Sequence, residues 1–244
     1  MAKRPFKRKI KRRTHGATFW DQEYANEGGH LKLSDDAGED LKKFTRWLQR
    51  QNGREQLNPT ASVLDMGCGN GRNLIFMAED FGVHGVGYDI SSAAISQANK
   101  AKGSHNLTFE TRSIAGDIPL PDASQTFVLD MMSSHFLSEK ERVHMLDEVN
   151  RVLKPGGWLF MKTFLRDGDL HSRRLLKEFP TDEEGTYVHP VMGMKEHVFY
   201  ESELIEFLET HFTVHKVYRS HKHVSQGKAR KRRTISVYAE KPLF

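Results

Sequence analysis

Apolar and polar positions follow two periods along this chain. Five short apolar runs, at residues 62–66, 84–89, 106–113, 125–132 and 157–164, are bounded by turn-forming residues and read as strands. Between them, over 72–80, 92–102 and 139–153, apolar positions recur every three or four residues, the spacing of helices with one buried face. Strands alternating with helices predict a doubly wound α/β sheet. Ahead of this core, Thr18 to Ala25 forms a short aromatic helix, and Asp36 to Gln51 places Leu41, Phe44, Trp47 and Leu48 on one helical face. Behind it, Glu201 to His211 reads as a helix. Phe212–Tyr218 and Thr234–Ala239 alternate as two strands of a terminal antiparallel hairpin. Residues 166–200 are polar and weakly periodic. They lie beyond the C-terminal end of the fifth strand, where ligands bind in such sheets, so they are expected to form a substrate-side cap.

The first strand runs into Val63-Leu64-Asp65-Met66-Gly67-Cys68-Gly69-Asn70-Gly71. Glycines at alternate positions permit positive φ and let a ligand approach the backbone closely. The helix that follows aims its free N–H groups at the same place, which predicts a site for a nucleotide-like cofactor. Starting from Gly67, the sixth position is Arg72, not the glycine a dinucleotide fingerprint requires, and no Gly-Lys-Ser/Thr of a phosphate loop is present. Asp89, about twenty residues on, ends the second strand, where a carboxylate can accept hydrogen bonds from a ribose diol.

The pattern Asp-x-Gly-x-Gly-x-Gly resembles the first motif of the class I S-adenosylmethionine-dependent methyltransferases. Three further segments extend the resemblance over about residues 60–165: Gly85-Val86-Gly87-Tyr88-Asp89-Ile90-Ser91, Gly116-Asp117-Ile118-Pro119-Leu120-Pro121, and Arg151-Val152-Leu153-Lys154-Pro155-Gly156-Gly157. The resemblance implies a seven-stranded, mostly parallel sheet with an antiparallel C-terminal hairpin, in a three-layer sandwich. It implies S-adenosyl-L-methionine as cofactor, held by Asp65, Gly67, Cys68, Gly69, Asn70, Gly71, Asp89, Ile90, Asp117 and Ile118. Asp89 would take the ribose, Asp117 the adenine amino group, and Asp65 would orient the loop or meet the cofactor's ammonium. His135 matches a histidine often found after the fourth strand of the family and is the candidate general base. Asp130, two positions after the place where the family often has an acid, is a second candidate. Neither the Asn-Pro-Pro-Tyr motif of amino-directed nucleic-acid enzymes nor the paired cysteines of carbon-5 enzymes is present.

Length and charge refine the expectation. The 244 residues suit one domain, taken as residues 17–244, preceded by a disordered basic arm at 1–16. The single cysteine excludes a disulfide framework and a cysteine-built zinc site, and no metal is expected. No apolar run approaches a membrane span and no signal peptide is visible, so a soluble, cytoplasmic protein is expected. Residues 3–13 hold eight Lys and Arg, against a net charge of +5 for the chain. A second run, Lys228-Ala229-Arg230-Lys231-Arg232-Arg233, falls near the hairpin turn. Both Lys3–Arg13 and Lys228–Arg233 could neutralise phosphates, which points to RNA as acceptor. A small-molecule methyltransferase with a basic tail, and a non-catalytic binding module of the same fold, are the alternatives.

Overall fold

The computed structural model describes residues 16–25, 34–51, 55–220, 224–225, 228–229 and 231–244. The Lys3–Arg13 arm lies outside the described residues. Its expected boundary shifts slightly, because Gly16 already belongs to the first helix. Elements follow in the order α1 (Gly16–Ala25), α2 (Glu39–Arg50), β1 (Ser62–Met66), α3 (Arg72–Phe81), β2 (His84–Asp89), α4 (Ser92–Ala101), β3 (Leu107–Thr111) and β4 (Gln125–Met131). A 3-10 turn (Ser134–Phe136) leads to α5 (Glu139–Val152), β5 (Leu153–Phe164), α6 (Leu170–Glu178), β6 (Thr186–Val188), β7 (Lys195–His197) and α7 (Glu201–Glu209). The chain ends with β8 (Thr213–Arg219), β9 (Val224–Ser225), β10 (Lys228–Ala229) and β11 (Thr234–Glu240).

Seven strands form one sheet in the order β3-β2-β1-β4-β5-β11-β8. β1 to β5 pair in parallel, and β11 is antiparallel to both β5 and β8. The expected architecture is therefore present. All five residues of β1 are buried, because helices cover both faces, and this is why the strand reads as a continuous apolar run. Alternate side chains divide the core. Leu64, Met66, Val128 and Leu159 pack with Met145 and Val149 of α5 and Leu204 of α7. Val63, Phe127, Leu129 and Phe160 pack with Phe44 of α2, Leu74 of α3 and Ile95 of α4. The edge strand β8 exposes Lys216 and Arg219, charges that discourage pairing with another chain. Among the described residues, no helix is long and apolar enough to cross a membrane.

The strand order reverses at β1, which has β2 on one side and β4 on the other, so the loops after β1 and β4 part to leave a cleft. Residues 166–200 are more regular than their sequence suggests: α6 packs beside a β6–β7 hairpin that joins the strand ends. Three-residue strands are too short to show a period, which explains the weak pattern. β7 contacts the 3-10 turn after β4, so this segment walls the cleft.

Candidate active site

The loop after β1 is shaped by its neighbours. Gly67, Gly69 and Gly71 all have positive φ, at 71°, 56° and 79°. The N–H groups of Gly67 and Cys68 both donate to the Tyr88 carbonyl, at 2.7 and 2.9 Å, and hook the loop onto β2. A Cβ on Gly67 would lie 2.3 Å from Ser133 Cβ, and one on Gly69 would lie 2.2 Å from the Tyr24 hydroxyl. Glycine is thus required by the close approach of α1 and of the turn after β4 as well as by backbone conformation. Gly69 N donates to Asp89 Oδ2 at 2.9 Å, and Ser91 N donates to Asp89 Oδ1 at 2.8 Å. Burial pushes the Asp89 carboxyl up, while these two N–H bonds pull it down. Each oxygen has one amide donor, which leaves room for a vicinal diol to donate two more hydrogen bonds.

A cavity of about 560 Å3 opens over this loop. Gly67, Cys68, Gly69, Asn70, Asp89 and Ile90 line it as expected. Asn70 also ties the loop to the chain ahead of α2, its Nδ2 lying 2.9 Å from Asp35 Oδ1. Cys68 is buried and its thiol is pushed well up by that burial, the condition of a packing side chain and not of a nucleophile. Arg112, Ser113 and Ile114, just past β3, form one side of the cavity. Met131, Met132, Ser133, Phe136 and Leu137 form the other. Trp20 and Tyr24 of α1, with Met194 and Lys195 beside β7, close over it.

Several expected residues are placed elsewhere. Gly71, the residue that precedes α3, and Asp117 and Ile118 do not line the cavity. The Asp117 side chain is 90% exposed and pairs with His144 Nε2 at 2.9 Å. Ile118 is in the core, its N–H donated to Glu148 at 2.7 Å. The described residues that line the cavity past β3 are instead Arg112 to Ile114. Extending β3 to residue 113 hid these positions, whereas the strand ends at Thr111 and its C-terminal edge is where ligand contacts occur. Asp65 also lies behind the lining. It is 1% exposed, and neither of its oxygens has a partner among the described residues. Burial first, then the charges of Asp89 and Asp130, push its carboxyl up to about 7.

The turn after β4 places both catalytic candidates behind the cavity lining. Asp130 is 1% exposed and points into the turn, with Oδ1 accepting from Ser133 Oγ at 2.6 Å and from Ser134 N at 3.1 Å. It thereby holds Met132 at φ +70°, a left-handed conformation that costs a non-glycine residue about 1–2 kcal/mol. Asp130 shapes the cavity wall without touching the cavity. His135 is 2% exposed, and its ring packs 4.1 Å from Phe136 and 5.0 Å from Phe164. Successive residues of a 3-10 turn point about 120° apart. Phe136 therefore faces the cavity and His135 faces inward. Burial pushes His135 down to about 4, and its side chain is not part of the cavity lining.

The second basic run is also redirected. Arg232 turns inward: Nη1 donates to Glu196 at 2.7 Å, Nη2 to Ser172 Oγ at 3.3 Å, and the guanidinium lies 3.8 Å from the Phe164 ring centroid. Arg233 Nη1 donates to the Asp167 carbonyl at 2.7 Å. Two of the run's five charges thus fasten β11 to the 166–200 segment and are not free for phosphates.

A family model described as a methyltransferase domain matches residues 63–157. A solved SAM-dependent methyltransferase from Methanosarcina mazei is 27% identical, with a TM-score of 0.65 over 78% of this chain and 96% of that one. Over residues 63–157 and in its fold, the chain is similar to the class I S-adenosylmethionine-dependent methyltransferases. Among curated relatives of this chain, the 27-O-demethylrifamycin SV methyltransferase of Amycolatopsis mediterranei is 33% identical over 61% of this chain and 55% of its own length. The glycine/sarcosine/dimethylglycine N-methyltransferase of Actinopolyspora halophila is 29% identical over 52% of this chain and 23% of its own length. The chain thus spans about half the length of these curated relatives or less. S-adenosylmethionine is the family's cosubstrate, and the donor set here fits it: glycine-loop backbone, a strand-end carboxylate with free acceptor positions, and a helix N-terminus beside them.

Proposed function

We propose that the protein transfers the methyl group of S-adenosylmethionine to a small-molecule acceptor bound in the same cavity. The observation that carries this reading is the cavity itself. One space of about 560 Å3, a size typical of small-ligand sites, runs from the glycine loop to a wall of Trp20, Phe136, Met131 and Met194. α1 and the segment around β7 close it over. The names of the two curated relatives, a 27-O-demethylrifamycin SV methyltransferase and a glycine/sarcosine/dimethylglycine N-methyltransferase, point the same way. The inward turn of Arg232 and Arg233 removes part of the support for an RNA acceptor.

In this reading Asp89 takes the ribose hydroxyls, Arg112 to Ile114 flank the adenine, and Gly67 to Gly69 run along the amino-acid tail. The cofactor supplies a sulfonium-activated methyl group. An acceptor lone pair forms the new bond to the methyl carbon as the carbon–sulfur bond breaks, and that electron pair leaves with sulfur as neutral thioether. The protein's part is alignment and exclusion of water, which can supply much of the acceleration. Among the described residues lining the cavity there is no histidine, and the Glu141 carboxylate is engaged by Ser138 N at 2.8 Å. An acceptor that arrives with a free lone pair, such as a neutral amine, suits this lining best.

A transfer screen with methyl-labelled cofactor against separate metabolite, RNA and protein fractions tests the proposal. Label is expected in the metabolite fraction, and Asp89→Ala should abolish it. Label confined to RNA would restore the polyanion reading.

A further inference from the structure

One carboxylate of α1 bonds directly to the start of α4. Asp21 Oδ1 accepts from Ser91 Oγ at 2.8 Å, from Ser92 Oγ at 3.3 Å and from Ala93 N at 3.1 Å. These donors form the N-terminus of α4, whose first amides have no intrahelical partner and which carries the positive end of the helix dipole. The Tyr24 carbonyl accepts from Gln97 Nε2 at 2.6 Å, one turn further along α4. α4 does not need Asp21 as a cap, because the Ser91 side chain already accepts from Ala94 N at 3.1 Å.

Ser91 is the junction between α1 and the cofactor site. Its hydroxyl reaches Asp21, while its N–H donates to Asp89 Oδ1 at 2.8 Å. The other Asp89 oxygen accepts from Gly69 N at 2.9 Å. An unbroken chain therefore runs Asp21–Ser91–Asp89–Gly69. It closes on itself, because the Tyr24 hydroxyl rests against Gly69.

Resting on the methyltransferase reading, we propose that Asp21 is a positioning residue for the cofactor. By bridging α1 to the start of α4, it fixes the Asp89 carboxylate for the ribose diol and holds Trp20 and Tyr24 over the cavity. Linkage makes the effect reciprocal: bound cofactor favours seated α1 as much as seated α1 favours bound cofactor.

S-adenosylhomocysteine and adenosine are the probes. Asp21→Ala should weaken S-adenosylhomocysteine about tenfold, mostly through faster dissociation, as loss of a capping carboxylate and its helix contact implies. Asp21→Asn keeps the acceptor oxygen and should recover most of that loss. The preference for adenosine over 2′-deoxyadenosine should narrow in Asp21→Ala, a readout that a purely structural anchor would not move. The ligand-free melting temperature should fall by only about 2–5 °C, the cost of one helix-terminus carboxylate contact. Wild-type affinity and dissociation rate in Asp21→Ala, or an unchanged ribose preference, would overturn the proposal. If the wild-type chain itself fails to bind S-adenosylhomocysteine at millimolar concentration, the methyltransferase reading fails first.

Discussion

Removing the Arg232 guanidinium separates the two roles open to the second basic run. The side chain is 20% exposed, while its partners Glu196 and Asp169 are 2% and 0% exposed. Burial pushes the Glu196 carboxyl up, but Arg232, together with His135 and the Tyr187 hydroxyl, offsets this and holds it below its ordinary value. Truncating one partner of a buried pair strands the other charge, at about 3–5 kcal/mol. The cost is smaller here, because Asp169 keeps N–H bonds from His171, Ser172 and Arg233 and Glu196 keeps the Tyr187 hydroxyl. We take about 2–4 kcal/mol for Arg232→Ala, which for a chain of this length is a fall of roughly 5–15 °C in melting temperature. Arg173→Ala, on the exposed face of α6, should stay within about 0.5 kcal/mol of wild type. The sign with pH also follows. A depressed carboxyl contributes stability above its unfolded pKa and loses it as pH falls through its folded value. The gap between Arg232→Ala and wild type should therefore narrow in acid. Calorimetric melts of both variants, with RNA affinity measured in parallel, form the assay. Equal melting temperatures for the two variants, with RNA affinity lost only in Arg232→Ala, would refute the reasoning.

The remaining predictions concern two buried titrating groups. Asp65 is raised from an ordinary 3.8 to about 7, so between those values the folded chain holds a proton the unfolded chain has released. Its contribution to stability therefore falls as pH rises across that window. Asp65→Asn should gain on wild type between pH 5 and 8 in thermal melts, and a constant gap would count against the burial argument. His135, depressed to about 4, should stay neutral from pH 5 to 8 in imidazole nitrogen shifts. A titration near 6.5 would show that the ring is open to solvent.

The amino-acid sequence alone determined the layers, the alternation of strands and helices, and the glycine loop. These rest on local rules: apolar period, glycine at positive φ, and an acid at a strand end. Val63 to Gly71 and Asp89 are legible for that reason, and Asp89 does line the cavity. Tertiary structure decided what faces what. His135 and Phe136 are neighbours in sequence, yet one 3-10 step sends them to opposite sides of a wall. Arg232 reads as one charge in a solvated run, but Glu196, more than thirty residues earlier, draws it inside. Asp117 occupies the expected motif position, yet its side chain lies outside the cavity, whose lining past β3 is Arg112 to Ile114. Asp21 carries no motif at all, and only the packing of α1 on α4 brings it to Ser91. Periodicity constrains which face of an element is apolar. The direction of a polar side chain depends on partners distant in sequence, and those exist only once the chain has folded.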